Sequence, residues 1–214
     1  MSQVILALDN MDRRELLNFA KTFSGKVWGF KVNDALVEHG CSIIHELKAY
    51  GNVFADPKLH DIPNTVANSA RRLVRAGANF ISVHASGGRD MLEAALEATK
   101  DKAIILSVTL LTSLAPEDIV SIYKGYPIKR MAGWILETKC PGVVCSAHEL
   151  PFWEMWPVIK VVPGIRPGGL LPQDDQNRVA PSASSADFVV LGRSITQSPD
   201  PVRALEEYLS KEVQ

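Results

Sequence analysis

Cysteine is scarce in this chain of 214 residues. Cys41, Cys140 and Cys145 are odd in number and too few to staple a domain of this size, which excludes a disulfide scaffold. No second Cys/His pair stands near Cys140 and Cys145, so no zinc-ligand pattern is completed and structural thiols are expected. An excess of one charge is missing too: 23 Lys and Arg face 24 Asp and Glu. Nothing in that balance draws the chain to nucleic acid or a membrane surface, and an anionic ligand must be held by a local site. Long apolar runs are also absent, the most apolar stretch, Ala103 to Leu111, being far short of a bilayer span and interrupted by Ser107 and Thr109. The first residues, Met1 to Asp9, lack a basic leader and a small-residue cleavage site, so a cytoplasmic protein is expected.

What remains is ordinary globular material, 46% hydrophobic and 22% charged, enough for one sizeable core and one domain over residues 1–214. Eight short β-branched runs recur: Val4–Asp9, Val27–Val32, Val53–Lys58, Phe80–Ala85, Ala103–Leu110, Gly142–Ser146, Val158–Pro163 and Phe188–Gly192. Most are nearly continuous apolar segments, as strands covered on both faces are. Helical spacing follows each, which argues for parallel βαβ units. The clearest helix runs from Pro63 to Ala76, with Val66, Ala70, Leu73 and Val74 as its apolar stripe and Gly77 to end it. Asp200 and Pro201 open the last helix. Eight such units predict a (β/α)8 TIM barrel, with a doubly wound open sheet as the alternative. Between Leu111 and Pro141 the pattern fits one broken helix or two short ones.

In Val53-Phe-Ala-Asp56-Pro-Lys58 the pleat directs Asp56 and Lys58 to one side at a strand end, and Asp61 follows in the loop. In a barrel that end is where active sites are built. On spacing alone a salt-bridged Asp–Lys pair is an equal reading. The loops after strands seven and eight suit a phosphate. Pro163-Gly164-Ile-Arg-Pro-Gly-Gly169 lets backbone approach a ligand closely, and Gly192-Arg193 adds an amide and a guanidinium. The stretch from Arg166 to Ala186 has loop composition and is expected to order on binding ligand and exclude water.

The string Asp56-x-Lys58-x-x-Asp61-Ile62-x-x-Thr65 resembles the signature of the orotidine 5'-phosphate decarboxylase family. Leu8-Asp9, Phe30-Lys31-Val32, Val83-His84-Ala85, Pro163-Gly164-Ile165-Arg166 and Gly192-Arg193-Ser194-Ile195 match in the family's order, so the resemblance spans nearly the whole chain. It implies a decarboxylation of orotidine 5'-phosphate to uridine 5'-phosphate with neither metal nor organic cofactor, in which Lys58 protonates the ring carbon as carbon dioxide leaves. It implies Asp56 beside the departing carboxylate, Lys31 and Asp9 at the ribose hydroxyls, and a homodimer in which Asp61, with Ile62 and Thr65 beside it, completes the partner's site. Ser113, with Thr112 close behind, is implied at the pyrimidine amide edge, and Gln176 over the phosphate. His84 is read as an interior hydrogen-bonding residue rather than a base.

Three rivals share the barrel. A magnesium-dependent sugar-phosphate decarboxylase or hexulose-phosphate synthase needs a carboxylate ligand at the end of strand two, where this chain has Lys31. A non-catalytic phosphate-binding barrel would not need the charged set. A phosphoribosyl isomerase would separate its acid and base on different strands.

Overall fold

The apolar runs do form parallel strands, and they close. In the computed structural model, which describes residues 2–100, 102–125, 127–165 and 185–212, the strands are β1 Gln3–Ala7, β2 Gly29–Val32, β3 Asn52–Leu59, β4 Phe80–His84, β5 Ile104–Val108, β6 Gly142–Val144, β7 Ile159–Pro163 and β8 Phe188–Leu191. They form a closed barrel in sequence order, with β8 pairing back to β1 through Gln3 and Phe188 to Leu6 and Leu191. The chain is therefore a (β/α)8 barrel and the open-sheet alternative falls away. Every predicted strand is present, with ends shifted by a residue or two.

The helices are α1 Arg13–Phe23, α2 Asp34–His39, α3 Ser42–Leu47, α4 Pro63–Ala76, α5 Arg89–Thr99, α6 Pro116–Tyr123, α7 Ile128–Glu137, α8 Leu150–Trp153, α9 Arg193–Thr196 and α10 Pro201–Glu212. Local signals explain their ends. α1 starts in a capping box, the Asp12 carboxylate accepting from Glu15 N–H at 2.9 Å while Glu15 accepts from Asp12 N–H at 3.1 Å. α4 opens on Pro63 and stops at Gly77, which takes the left-handed conformation at φ 103°. Asp200 accepts from Arg203 N–H at 3.0 Å at the start of α10. The stretch from Leu111 to Pro141 contains two short helices, α6 and α7, rather than one broken one.

Strand alternation sorts the side chains into two layers. Ile5, Ala7, Phe54, Phe80, Leu106, Val108, Val144, Val161, Phe188 and Val190 fill the barrel itself. Their neighbours, such as Leu6, Phe30, Ala55, Ile81, Val143 and Val189, pack outward against the helices. At the N-terminal end an aromatic group closes the bottom: Trp28 stacks on Phe80 at 4.3 Å, and Phe188 meets Phe80 edge-on at 5.1 Å. The same parity directs Asp9, Lys31 and Asp56 inward at the other end, above this packed interior.

Cys140 and Cys145 are buried and Cys41 is exposed. Burial pushes the Cys140 thiol up to about 11, and it points at the carbonyls of Ile105 and Gly142. That matches the expected structural thiols. No helix among the described residues is long and apolar enough to cross a membrane.

Candidate active site

The C-terminal rim carries a chain of alternating charge. Lys31 Nζ reaches both oxygens of Asp9, at 3.0 and 3.2 Å, and lies 3.6 Å from Asp56 Oδ2. Lys58 Nζ donates to the same Asp56 oxygen at 2.7 Å. The order is thus Asp9, Lys31, Asp56, Lys58, contributed by the ends of three neighbouring strands. Lys31 and Asp56 are 8% and 4% exposed, so both charges are taken out of water and must be held by each other. Burial of Lys31 works to lower its pKa, but the charges of Asp56 and Asp9 outweigh that and raise it, so this ammonium keeps its proton. Asp56 Oδ1 is buried and accepts no hydrogen bond from the described residues. An oxygen left in that state costs free energy, which argues that stability alone did not arrange the cluster.

Asp56 and Lys58 do meet, but simple pleating is not why. The β3–β4 register pairs Ala55 with Ile81 and Leu59 with Val83, so Asp56, Pro57 and Lys58 oppose Ser82 alone. Lys58 sits at φ 49°, a left-handed conformation seldom adopted by a lysine. The irregularity turns the amine back onto the carboxylate two residues earlier.

The other expected residues lie around the same rim. Asp61 is exposed, its Oδ1 accepting from Ile62 N–H at 2.6 Å. Ile62, 66% exposed, caps the start of α4, and Thr65 is exposed in its first turn. Thr112 and the exposed Ser113 form a turn between β5 and α6. Pro163 ends β7, and Gly164 follows at φ 77°. Gly192 and the exposed Arg193 join β8 to α9. Gln176 and the expected lid, apart from Ser185 and Ala186, lie outside the described residues.

His84 departs from its reading as a hydrogen-bonding residue: its Nδ1 is buried with no partner among the described residues, and its ring lies 5.4 Å from that of His60. Burial, then the neighbouring His60 and Lys58, lower its pKa to about 4. A histidine that resists protonation in the fold makes the unfolded chain bind more protons between about 4 and its ordinary 6.5. Stability should therefore fall on acidification through that window. Lys31, whose pKa is raised, adds no slope there, since its contribution is complete below its unfolded value. Thermal unfolding of the wild type and of His84→Gln between pH 7 and about pH 4 checks this: the loss on acidification should be smaller in the variant, and parallel curves would refute the assignment.

Sequence reading missed Asn33, whose Nδ2 donates to the Asp56 carbonyl at 2.9 Å, and gave Ser82 no role, although its Oγ accepts from Lys58 N–H at 2.9 Å. It also missed Glu149, which is buried and accepts from Thr109 Oγ at 2.6 Å across the β5 and β6 ends. Ser82, a polar residue breaking an apolar strand, was the one with a sequence signal; Asn33 and Glu149 lie past the ends of β2 and β6.

A closed parallel barrel with buried charges of both signs at its C-terminal rim defines a (β/α)8 enzyme-type site. The family described as Orotidine 5'-phosphate decarboxylase / HUMPS matches residues 2–208, and the chain belongs to it. It is 36% identical to an orotidine 5'-phosphate decarboxylase of Hahella chejuensis, over 99% of this chain and 97% of that one. Identity to the Cutibacterium acnes protein of the same name is 38%, covering 95% and 93% of the two chains. Among solved structures, the orotidine 5'-phosphate decarboxylase of Lactobacillus acidophilus superimposes with a TM-score of 0.79 at 30% identity, over 99% of each chain.

Proposed function

We propose that this chain is an orotidine 5'-phosphate decarboxylase, one catalytic unit that converts orotidine 5'-phosphate to uridine 5'-phosphate and carbon dioxide in pyrimidine biosynthesis. The observation that carries this reading is the alternating Asp9, Lys31, Asp56, Lys58 chain on a barrel of that family. The bond from the ring carbon to the carboxylate breaks, and its electron pair stays on the ring carbon. That carbon takes a proton from the Lys58 ammonium, carbon dioxide departs, and water returns a proton to Lys58. Asp56 holds the ammonium at 2.7 Å and lies where the carboxylate leaves. Its fixed negative charge repels the substrate's carboxylate and does not repel neutral carbon dioxide, so the difference favours the transition state over the bound substrate.

Lys31 and Asp9 take the ribose hydroxyls, a donor and an acceptor for groups that are both. Thr112 and Ser113 meet the pyrimidine amide edge, while Pro163, Gly164, Gly192, Arg193 and Gln176 surround the phosphate. Exposure of Asp61, Ile62 and Thr65 supports a second half to the reading: in a homodimer they complete the partner's site.

The scheme uses no metal and no organic cofactor. The magnesium-dependent alternative on this barrel is disfavoured by Lys31, a buried cation placed between Asp9 and Asp56. Purified protein treated exhaustively with a chelator should still consume orotidine 5'-phosphate, followed by the loss of its ultraviolet absorbance. Absence of turnover before chelation would refute the activity, and strict recovery with magnesium would favour the alternative.

A further inference from the structure

The reactive pair sits on a stretch of β3 that has lost its regular partners. Three residues, Asp56, Pro57 and Lys58, span the gap between the Ala55–Ile81 and Leu59–Val83 pairs, opposite Ser82 alone. Pro57 has no N–H to give, and the positive φ of Lys58 is disfavoured for any side chain bearing a Cβ. Left to itself such a segment would relax toward extended backbone and swing the Lys58 amine away from Asp56.

Two side chains hold it from opposite sides. Asn33, one residue past the end of β2, donates from Nδ2 to the Asp56 carbonyl at 2.9 Å. Ser82, fully buried on the inward face of β4, accepts from Lys58 N–H at 2.9 Å. Each bond replaces, through a side chain, the kind of backbone contact that a regular ladder would supply. We propose that Asn33 and Ser82 are positioning residues that lock the irregular Asp56–Lys58 segment and so set the distance between the Lys58 amine and the Asp56 carboxylate.

Neither needs to touch the substrate. Their effect passes through Lys58 and Asp56, and the inference rests on those two doing the chemistry assigned under Proposed function. A clamp of this kind acts on the geometry of reaction rather than on affinity, because a shift of an ångström in a catalytic group is felt in the rate while the ribose and phosphate contacts are unchanged.

The test uses Ser82→Ala and Asn33→Ala in the full chain, with steady-state turnover of orotidine 5'-phosphate and amide hydrogen exchange at Lys58 read by NMR. Each variant should lose about ten- to a hundredfold in kcat with KM within about threefold of wild type. In Ser82→Ala the Lys58 amide should exchange about tenfold faster or more, while amides elsewhere on β4 and β5 keep their protection. A kcat within twofold of wild type, or an unchanged Lys58 exchange rate in Ser82→Ala, overturns the proposal. The exchange arm needs no substrate, so it judges the clamp even if the wild type fails to turn over orotidine 5'-phosphate, in which case the functional reading fails separately.

Discussion

Replacing Lys58 with alanine is expected to lower kcat/KM for orotidine 5'-phosphate by at least about a thousandfold, with the chain still folded. A positioned acid alone contributes roughly a hundred- to ten-thousandfold. Here the same ammonium also opposes the negative charge that develops on the ring, so the upper part of that range applies. Folding should survive because the Lys58 side chain is about a third exposed at the rim and Asp56 retains Lys31 at 3.6 Å. Circular dichroism and steady-state kinetics check both halves, and a folded variant within tenfold of wild type would remove Lys58 from the mechanism. The same variant tests sharing of sites. When Lys58→Ala and Asp61→Ala chains are mixed to equilibrium, half of the dimers are hybrids and each has one undamaged site out of two. Roughly a quarter of wild-type activity should return. If Asp61 serves its own chain, every site remains damaged and nothing returns.

Gly29→Ala should be among the most destabilising single substitutions in the barrel. A Cβ at Gly29 would overlap the backbone carbonyl of Asn52 on the adjoining strand, and its α-carbon lies at 3.0 Å. Backbone in a closed barrel has little room to retreat, since β3 is held on its other side by β4. The expected loss exceeds about 4 kcal/mol, or about 10 °C or more in Tm for a chain of this size. Gly133→Ala is the control: that glycine lies within α7 with nothing near its would-be Cβ, so it should be neutral or gain up to about 1 kcal/mol. Equal, small effects of the two would mean β2 and β3 can separate.

Much of the fold was legible because its signals are local. Continuous apolar runs such as Val4–Leu8 mark strands buried on both faces, and Pro63 with Gly77 bracket α4 by backbone chemistry that needs no partner. The acidic and basic residues of the rim were legible as types and positions. Their contacts were not. That Lys58 takes a left-handed turn depends on how β3 registers against β4, and the clamp atoms come from Asn33 and Ser82, more than twenty residues away in either direction. The Thr109–Glu149 bond spans 40 positions and leaves no periodic trace. His84 was expected to be an interior hydrogen-bonding residue; its Nδ1 finds no partner among the described residues.

Closure of the strands from β1 round to β8 has one more consequence. Among the described residues every strand is paired on both sides, so the barrel offers no row of free amides and carbonyls onto which another chain could add a strand. Self-association by sheet extension, and the fibrous misassembly that begins that way, have no template in the folded barrel. Among the described residues a second copy would be met by helices and loops, and the segment leading from β3 into α4 presents such a surface in Ile62 and Thr65.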